Sequence, residues 1–175
     1  MDRRKLIAAI ALSIPTLGAR ADNLQDATTA INRKDYKTAV RLLEPLAKAG
    51  NAGAQVRLGT LYFHGHGVRE SDPLAQQWFE RAAKQGLAEA QYHLGNMYAY
   101  GLVKLPPDQD AARLAAQWYF EAARQGHAEA QYSLGIMFLT GSGVTQSGDE
   151  ARRWIDRAAA QGVADAKAYV AGSKP

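Results

Sequence analysis

The strongest constraint on this chain is that it repeats itself. Leu58-Gly59 returns as Leu94-Gly95 and Leu134-Gly135, Trp78 as Trp118 and Trp154, and Gln85-Gly86 as Gln125-Gly126 and Gln161-Gly162. The steps are 36 and 40 residues from Gly59, and 40 and 36 from Trp78. A period of this size marks an array in which each unit is one supersecondary element that buries its apolar face against the next.

Within the first full copy, Ala54, Leu58, Leu61 and Tyr62 fall at i, i+4, i+7, i+8, which is one face of an α-helix. Gly65-His66-Gly67-Val68 breaks that helix with residues that tolerate positive φ. Ser71-Asp72-Pro73 then supplies an N-cap and a first-turn proline for a second helix with the face Ala75, Trp78, Phe79, Ala82, Ala83. Lys84 and Gly86 suit its end. The second copy repeats this with Ala90, Leu94, Met97, Tyr98 and Ala115, Trp118, Tyr119, Ala122, Ala123. The third does so with Ala130, Leu134, Met137, Phe138 and Ala151, Trp154, Ile155, Ala158, Ala159. Each unit is therefore a helix pair, and the fold class is all-α.

The expected divisions are residues 1–21 as a leader, 22–50 as a degenerate first repeat, then repeats over 51–86, 87–126 and 127–162, and a terminal helix with its tail over 163–175. In the degenerate unit a shorter first helix is expected over 23–33, joined at Lys34-Asp35 to a second helix that carries Ala39, Leu42, Leu43, Leu46 and Ala47, with Leu42 in the tryptophan position and Pro45 bending it. The repeat over 87–126 carries four extra residues in its turn, where Gly101-Leu102-Val103-Lys104-Leu105-Pro106-Pro107 replaces the short glycine loop. Gly59, Gly95 and Gly135 each weaken a helix by ~1 kcal/mol relative to alanine, so close approach of a neighbour is expected there. The tryptophans are expected to fill the space between repeats.

Residues 1–21 read as an export signal. Arg3-Arg4-Lys5 forms the charged start, Leu6 to Ile14 a short apolar run, and Ala19-Arg20-Ala21 a small-x-small cleavage site. The paired arginines weakly resemble a twin-arginine leader. The expectation is a periplasmic or secreted protein cleaved after Ala21. Its formal charge of +4 falls to near neutrality without the leader, leaving 17 basic and 16 acidic residues. That balance carries no electrostatic footprint for nucleic acid. No later stretch is long and apolar enough to span a membrane. With zero cysteines there is no lipid-attachment site, disulfide, thiol nucleophile or thiolate metal site.

The pattern Ala-x-Ala-Gln-x-x-Leu-Gly-x-x-Tyr, Gly-x-Gly-Val, Ala-x-x-Trp-Phe, Ala-Ala-x-Gln-Gly resembles the Sel-1-like repeat family, a relative of tetratricopeptide repeats, over essentially all of 22–171. The long Gly101–Pro107 turn, without a second glycine, and Phe138 in place of tyrosine are the departures. The resemblance implies a right-handed α/α superhelical solenoid that acts as a non-catalytic scaffold or adaptor for protein partners in signalling, envelope stress or host interaction. By the same resemblance, positions on the first helices that differ between copies would line the concave side. Those that point away from the core face are Val56, Thr60, Phe63, His64; Glu89, Tyr92, Asn96, Tyr100; and Glu129, Tyr132, Ile136, Leu139, Thr140. Aromatic anchors with scattered polar groups are what a protein or peptide groove requires. Tyr92 and Tyr132 also suit packing between first helices.

No cofactor, metal or catalytic residue is expected. His64, His66 and His93 lack a carboxylate or cysteine at ligand spacing. Ser142 lacks the strand-to-helix setting of a nucleophile elbow, and Asp108 and Asp110 read as helix-start residues. Two alternatives stand beside the adaptor. Cysteine-rich members of the family suggest a binder of cell-wall muropeptides or β-lactam-like ligands, or a weak β-lactamase-like enzyme. Self-association through an end of the array is the other.

Overall fold

A computed structural model describes residues 17–172, with side chains from residue 23 onward. Most of the leader expected over 1–21 lies outside the described residues; the expected cleavage site falls within the first turns of helix α1. Among the described residues there are helices and turns only: α1 Leu17–Asn32, α2 Tyr36–Lys48, α3 Ala52–His64, α4 Asp72–Lys84, α5 Ala88–Ala99, α6 Ala111–Arg124, α7 Ala128–Thr140, α8 Gly148–Ala160 and α9 Ala164–Gly172. The substantial packing is between consecutive helices, from α1 with α2 through α8 with α9. This is an all-α repeat solenoid, in which α3–α4, α5–α6 and α7–α8 are the three full helix pairs.

The helix ends follow from the residues that cap them. Asp35, after Lys34 in the left-handed region at φ 60°, accepts the Thr38 N–H at 3.2 Å. Asn51, Ser71, Asp110 and Ser147 do the same for α3, α4, α6 and α8. Gly65 and Gly141 close α3 and α7 at φ 65° and 71°. Helix α2 runs through Pro45 to Lys48, since the missing N–H is the only bond the ring must forfeit within an otherwise strongly amphipathic helix.

Glycine inside the first helices is a packing requirement. A Cβ at Gly59 would lie 2.7 Å from the Phe79 ring, one at Gly95 2.5 Å from Tyr119, and one at Gly135 2.6 Å from Ile155. The side chain that fills each gap is therefore the residue after the tryptophan, and Phe79, Tyr119 and Ile155 are all buried. The tryptophans lie between repeats, as expected, but do not face the glycines: Trp78 and Trp118 are partly buried and Trp154 is buried. Trp78 packs against the Leu43–Leu58–Leu61 cluster and Trp118 against the Phe79–Leu94–Met97 cluster, so each seals the seam towards the preceding repeat. The second loop glycine has its own reason. A Cβ at Gly67 would strike the Tyr36 backbone at 2.6 Å, because this loop lies on the start of the second helix of the preceding unit.

A ladder of buried glutamines ties the pairs together. Gln55, Gln91 and Gln131 donate to the carbonyls of Ala47, Ala83 and Ala123 at 3.0, 3.4 and 3.1 Å, reaching back to the preceding unit. Each accepts from the glutamine that ends its own pair: Gln85, Gln125 and Gln161, at 2.8, 2.7 and 2.8 Å. Every rung thus joins three helices and satisfies amide groups that burial would otherwise penalise by ~1–3 kcal/mol each. Ion pairs such as Lys48–Glu44 and Arg152–Asp156 are exposed i,i+4 pairs and contribute little.

Candidate functional site

Helices α3, α5 and α7 present their variable positions on a common face. One of the thirteen expected groove residues does not belong there: Val56 is 1 % exposed and sits in the cluster with Ala75, Phe79 and Leu94. Its spacing resembles that of Tyr92 and Tyr132, but valine is short enough to be covered entirely by its neighbours, and no partner can reach it. Thr60 and Thr140 turn their hydroxyls back onto their own helices, at 3.0 Å from Val56 O and 3.1 Å from Ile136 O. Tyr132, Ile136 and Leu139 are partly buried against the Ile155–Ala158–Ala166 cluster, so they serve packing and surface together. Glu89, Glu129 and His64 are exposed.

Beside these helices, with α4 and α6 also contributing, lie two hollows that share one wall. The larger, about 550 Å³, is lined by Tyr98, Tyr100, Tyr132, Ile136 and Met137, with Tyr119, Ser133 and Thr140 among its polar contributors. The smaller, about 150 Å³, is lined by Phe63, Phe79, His93, Asn96, Met97, Tyr100 and Leu102. Tyr100 lines both and is 75 % exposed, the most open large apolar side chain among the described residues. Leu102, from the extended turn, is also exposed. The turn that departs from the repeat pattern therefore supplies wall to the surface.

Beneath Tyr100 the polar groups are held in place. The Tyr119 hydroxyl donates to Asn96 Oδ1 at 2.7 Å, which leaves the Asn96 amide N–H groups directed elsewhere. Burial, with the Tyr92 and Tyr100 phenols adding to it, raises the Tyr119 pKa well above the usual phenol range, so this hydroxyl stays a donor. Four aromatic and imidazole contacts continue the face. His93 stacks on Phe79 at 4.6 Å, Tyr92 stacks on His127 at 4.6 Å, and Phe63 meets His64 edge-on at 5.0 Å, while His66 stacks on Tyr36 at 4.3 Å.

Burial disfavours the charged form of the two inner histidines. His93 has its pKa lowered chiefly by burial, against the pull of Glu89 and with further lowering from His127 and His64. His127 is lowered by burial against Glu129 and Glu89. His127 has a structural duty as well: its Nδ1 accepts the Ala130 N–H at 3.3 Å, capping α7 as Asn51 caps α3. Among the described residues no group of three or more His, Cys, Asp or Glu side chains is placed to hold a metal ion.

Tyr119, His93, Ser133, Tyr98 and Leu102 belong to this surface but were not expected from the sequence. The signal existed at position 119, where the equivalent residues are Phe79 and Ile155 and only the middle repeat carries a hydroxyl. Comparing second helices as well as first would have found it.

The sequence profile described as Sel1 repeat matches residues 32–51, 52–87, 88–127 and 128–163. A search of the curated proteins finds no match. Among solved structures, a Sel1 repeat protein from Oxalobacter formigenes is 33 % identical, with TM-score 0.74, covering 82 % of this chain and 57 % of its own. Cysteine rich protein B of Helicobacter pylori shares the fold at 23 % identity and TM-score 0.54, over 83 % of this chain and 95 % of its own. This chain thus spans little more than half the length of the Oxalobacter protein. Proteins built of these repeats generally act as non-catalytic scaffolds for protein–protein interaction. With its repeats matched in succession over most of its length, the chain belongs to the Sel1 repeat family.

Proposed function

We propose that this protein is an adaptor of the bacterial envelope or exterior that holds a protein or peptide partner on the first-helix face of α3, α5 and α7. The observation that carries this reading is Tyr100, three-quarters exposed between two hollows on a face where Tyr132, Ile136 and Leu139 are already engaged in packing. Large aromatics that stand at the centre of a depression are typical anchors of protein interfaces, and a solvated ring gains most from being covered. The leader-like residues 1–21 support export.

Photo-cross-linking in cells tests the binding face. A photoreactive residue at position 96 is expected to capture a protein that the same probe at the exposed Gln77, on α4, does not capture. Capture of glycan alone from position 96, or of the chain itself from both positions, overturns the adaptor reading. Fractionation with N-terminal sequencing tests export: a mature protein beginning at Asp22 is expected, and a cytoplasmic chain retaining Met1–Ala21 would contradict it.

A further inference from the structure

We propose that His127 is an acid-released latch at the junction between the second and third full helix pairs: neutral, its ring caps α7 and stacks on α5, and protonated, it turns to Glu129 and lets the first turn of α7 open. The proposal stands independently of the adaptor reading.

One nitrogen has two uses that exclude each other. Nδ1 accepts the Ala130 N–H at 3.3 Å, so the neutral ring carries its proton on Nε2. The Ala130 N–H belongs to the first turn of α7 and has no carbonyl within the helix to bond, and the residue is fully buried. The same Nδ1 lies 3.4 Å from Glu129 Oε2. A proton arriving on Nδ1 turns it from acceptor into donor, so the cap bond is lost and a charge-assisted bond to the carboxylate replaces it. The cation also stands at the N-terminus of α7, where the helix dipole disfavours positive charge. The side chain is 18 % exposed, so solvent protons reach it.

The groups that face the ring set where this happens. From α5, Tyr92 stacks on it at 4.6 Å and Glu89 favours its charged form, while His93 and His127 each disfavour charge on the other. From α7 itself, Glu129 favours the charged form. At the end of α6, Arg124 lies over the Phe120 ring at 5.7 Å and within 3.6 Å of Glu121. Burial outweighs the two carboxylates, so the imidazolium forms only below the ordinary histidine value of about 6.5.

The latch occurs once in the array. The residues that precede the other full-repeat first helices and α9 are Asn51, Leu87 and Val163. Asn51 gives Ala54 N–H the same kind of bond at 2.8 Å from a group that does not titrate, and Leu87 makes no side-chain cap bond. Histidine alone among the four changes charge between about pH 5 and 8. Gln131, bonded to Ala123 O at 3.1 Å, keeps the opened turn tethered to α6, so the release is local. The next residue is Tyr132, part of the wall of the larger hollow, so the release reaches that surface.

Amide hydrogen exchange of the full chain, resolved by NMR and corrected for the intrinsic pH dependence of exchange, tests the latch at pH 7.5 and 5. The Ala54 amide, capped by Asn51, is the internal control. Opening is coupled to proton uptake when the folded pKa is depressed, so protection at Ala130 should fall at least ~3-fold at pH 5 while protection at Ala54 holds. His127→Asn should abolish the fall and keep Ala130 protected at both pH values, whereas His127→Ala, with no acceptor, should leave it weakly protected at both. Glu129→Gln should carry the transition to lower pH, because the protonated ring loses its carboxylate. Unchanged protection at Ala130 would overturn the proposal, as would an equal fall at Ala54, which marks global unfolding. So would a fall that persists in His127→Asn, or a transition that Glu129→Gln leaves in place.

Discussion

Replacing Gly95 with alanine separates helix propensity from packing, because the two predict opposite signs. In an isolated helix the change stabilises by ~1 kcal/mol. In this fold the added Cβ would lie 2.5 and 2.6 Å from two carbons of the Tyr119 ring, against ordinary contacts of 3.4–4 Å. The ring must retreat by about 1 Å from a buried site whose hydroxyl is held by Asn96, and overpacking of this kind costs ~1–3 kcal/mol. Taking the upper part of that range for a two-atom overlap, Gly95→Ala should destabilise by a net ~1–2 kcal/mol, or lower Tm by ~2–8 °C in a chain of this length. Gly148→Ala is the control, since a Cβ there meets nothing within 4 Å, and it should be neutral or stabilising. In a Tyr119→Ala background the clash is gone, so Gly95→Ala should become stabilising. Urea denaturation of the four proteins of that cycle measures this coupling. Destabilisation by Gly95→Ala that is unchanged in the Tyr119→Ala background would refute the assignment of Gly95 to ring clearance.

Gln91→Leu removes both bonds of one ladder rung and should cost ~1–3 kcal/mol by denaturation, more than Gln77→Leu at an exposed position of α4. Tyr119→Phe should cost ~1 kcal/mol and free the Asn96 amide to reorient. Trp118→Ala should be less damaging than Tyr119→Ala, since the indole is only partly buried. Protonation should unfold the chain more easily. His93 and His127 have folded pKa values below the unfolded value of about 6.5, so below that pH the unfolded state binds more protons and stability falls as pH drops. Their contribution is intact above pH ~6.5 and is lost from there down to the lowered folded values. His127→Asn, which copies the Asn51 cap, should keep α7 capped and reduce this acid loss in Tm measured from pH 7.5 to 5.

The fold was legible because the stack is built from residues that repeat. Spacing alone located the helix pairs, and Ser71, Asp35 and the loop glycines marked where helices begin and end. Periodicity could not say which of two adjacent aromatics goes inward. Trp78 and Phe79 both lie on the apolar face, and it is the position opposite Gly59 that decides in favour of Phe79. The candidate site was legible in outline at Phe63, Asn96, Tyr100 and Ile136. Val56 was misplaced because spacing gives direction and not depth, and depth depends on the length of the side chain and on what the neighbouring pair lays over it. Tyr119 was missed for the converse reason: it belongs to a second helix and reaches the surface only through its hydroxyl.

In this protein the residues that stack the repeats are distinct from those proposed to meet a partner. Tyr100→Ala tests it most directly, with thermal stability and cross-linking from position 96 measured on the same protein. The side chain is largely solvated, so stability should stay within about 0.5 kcal/mol of the parent while the captured partner is lost. Undiminished capture, or a loss of stability as large as that of Tyr119→Ala, would contradict the division.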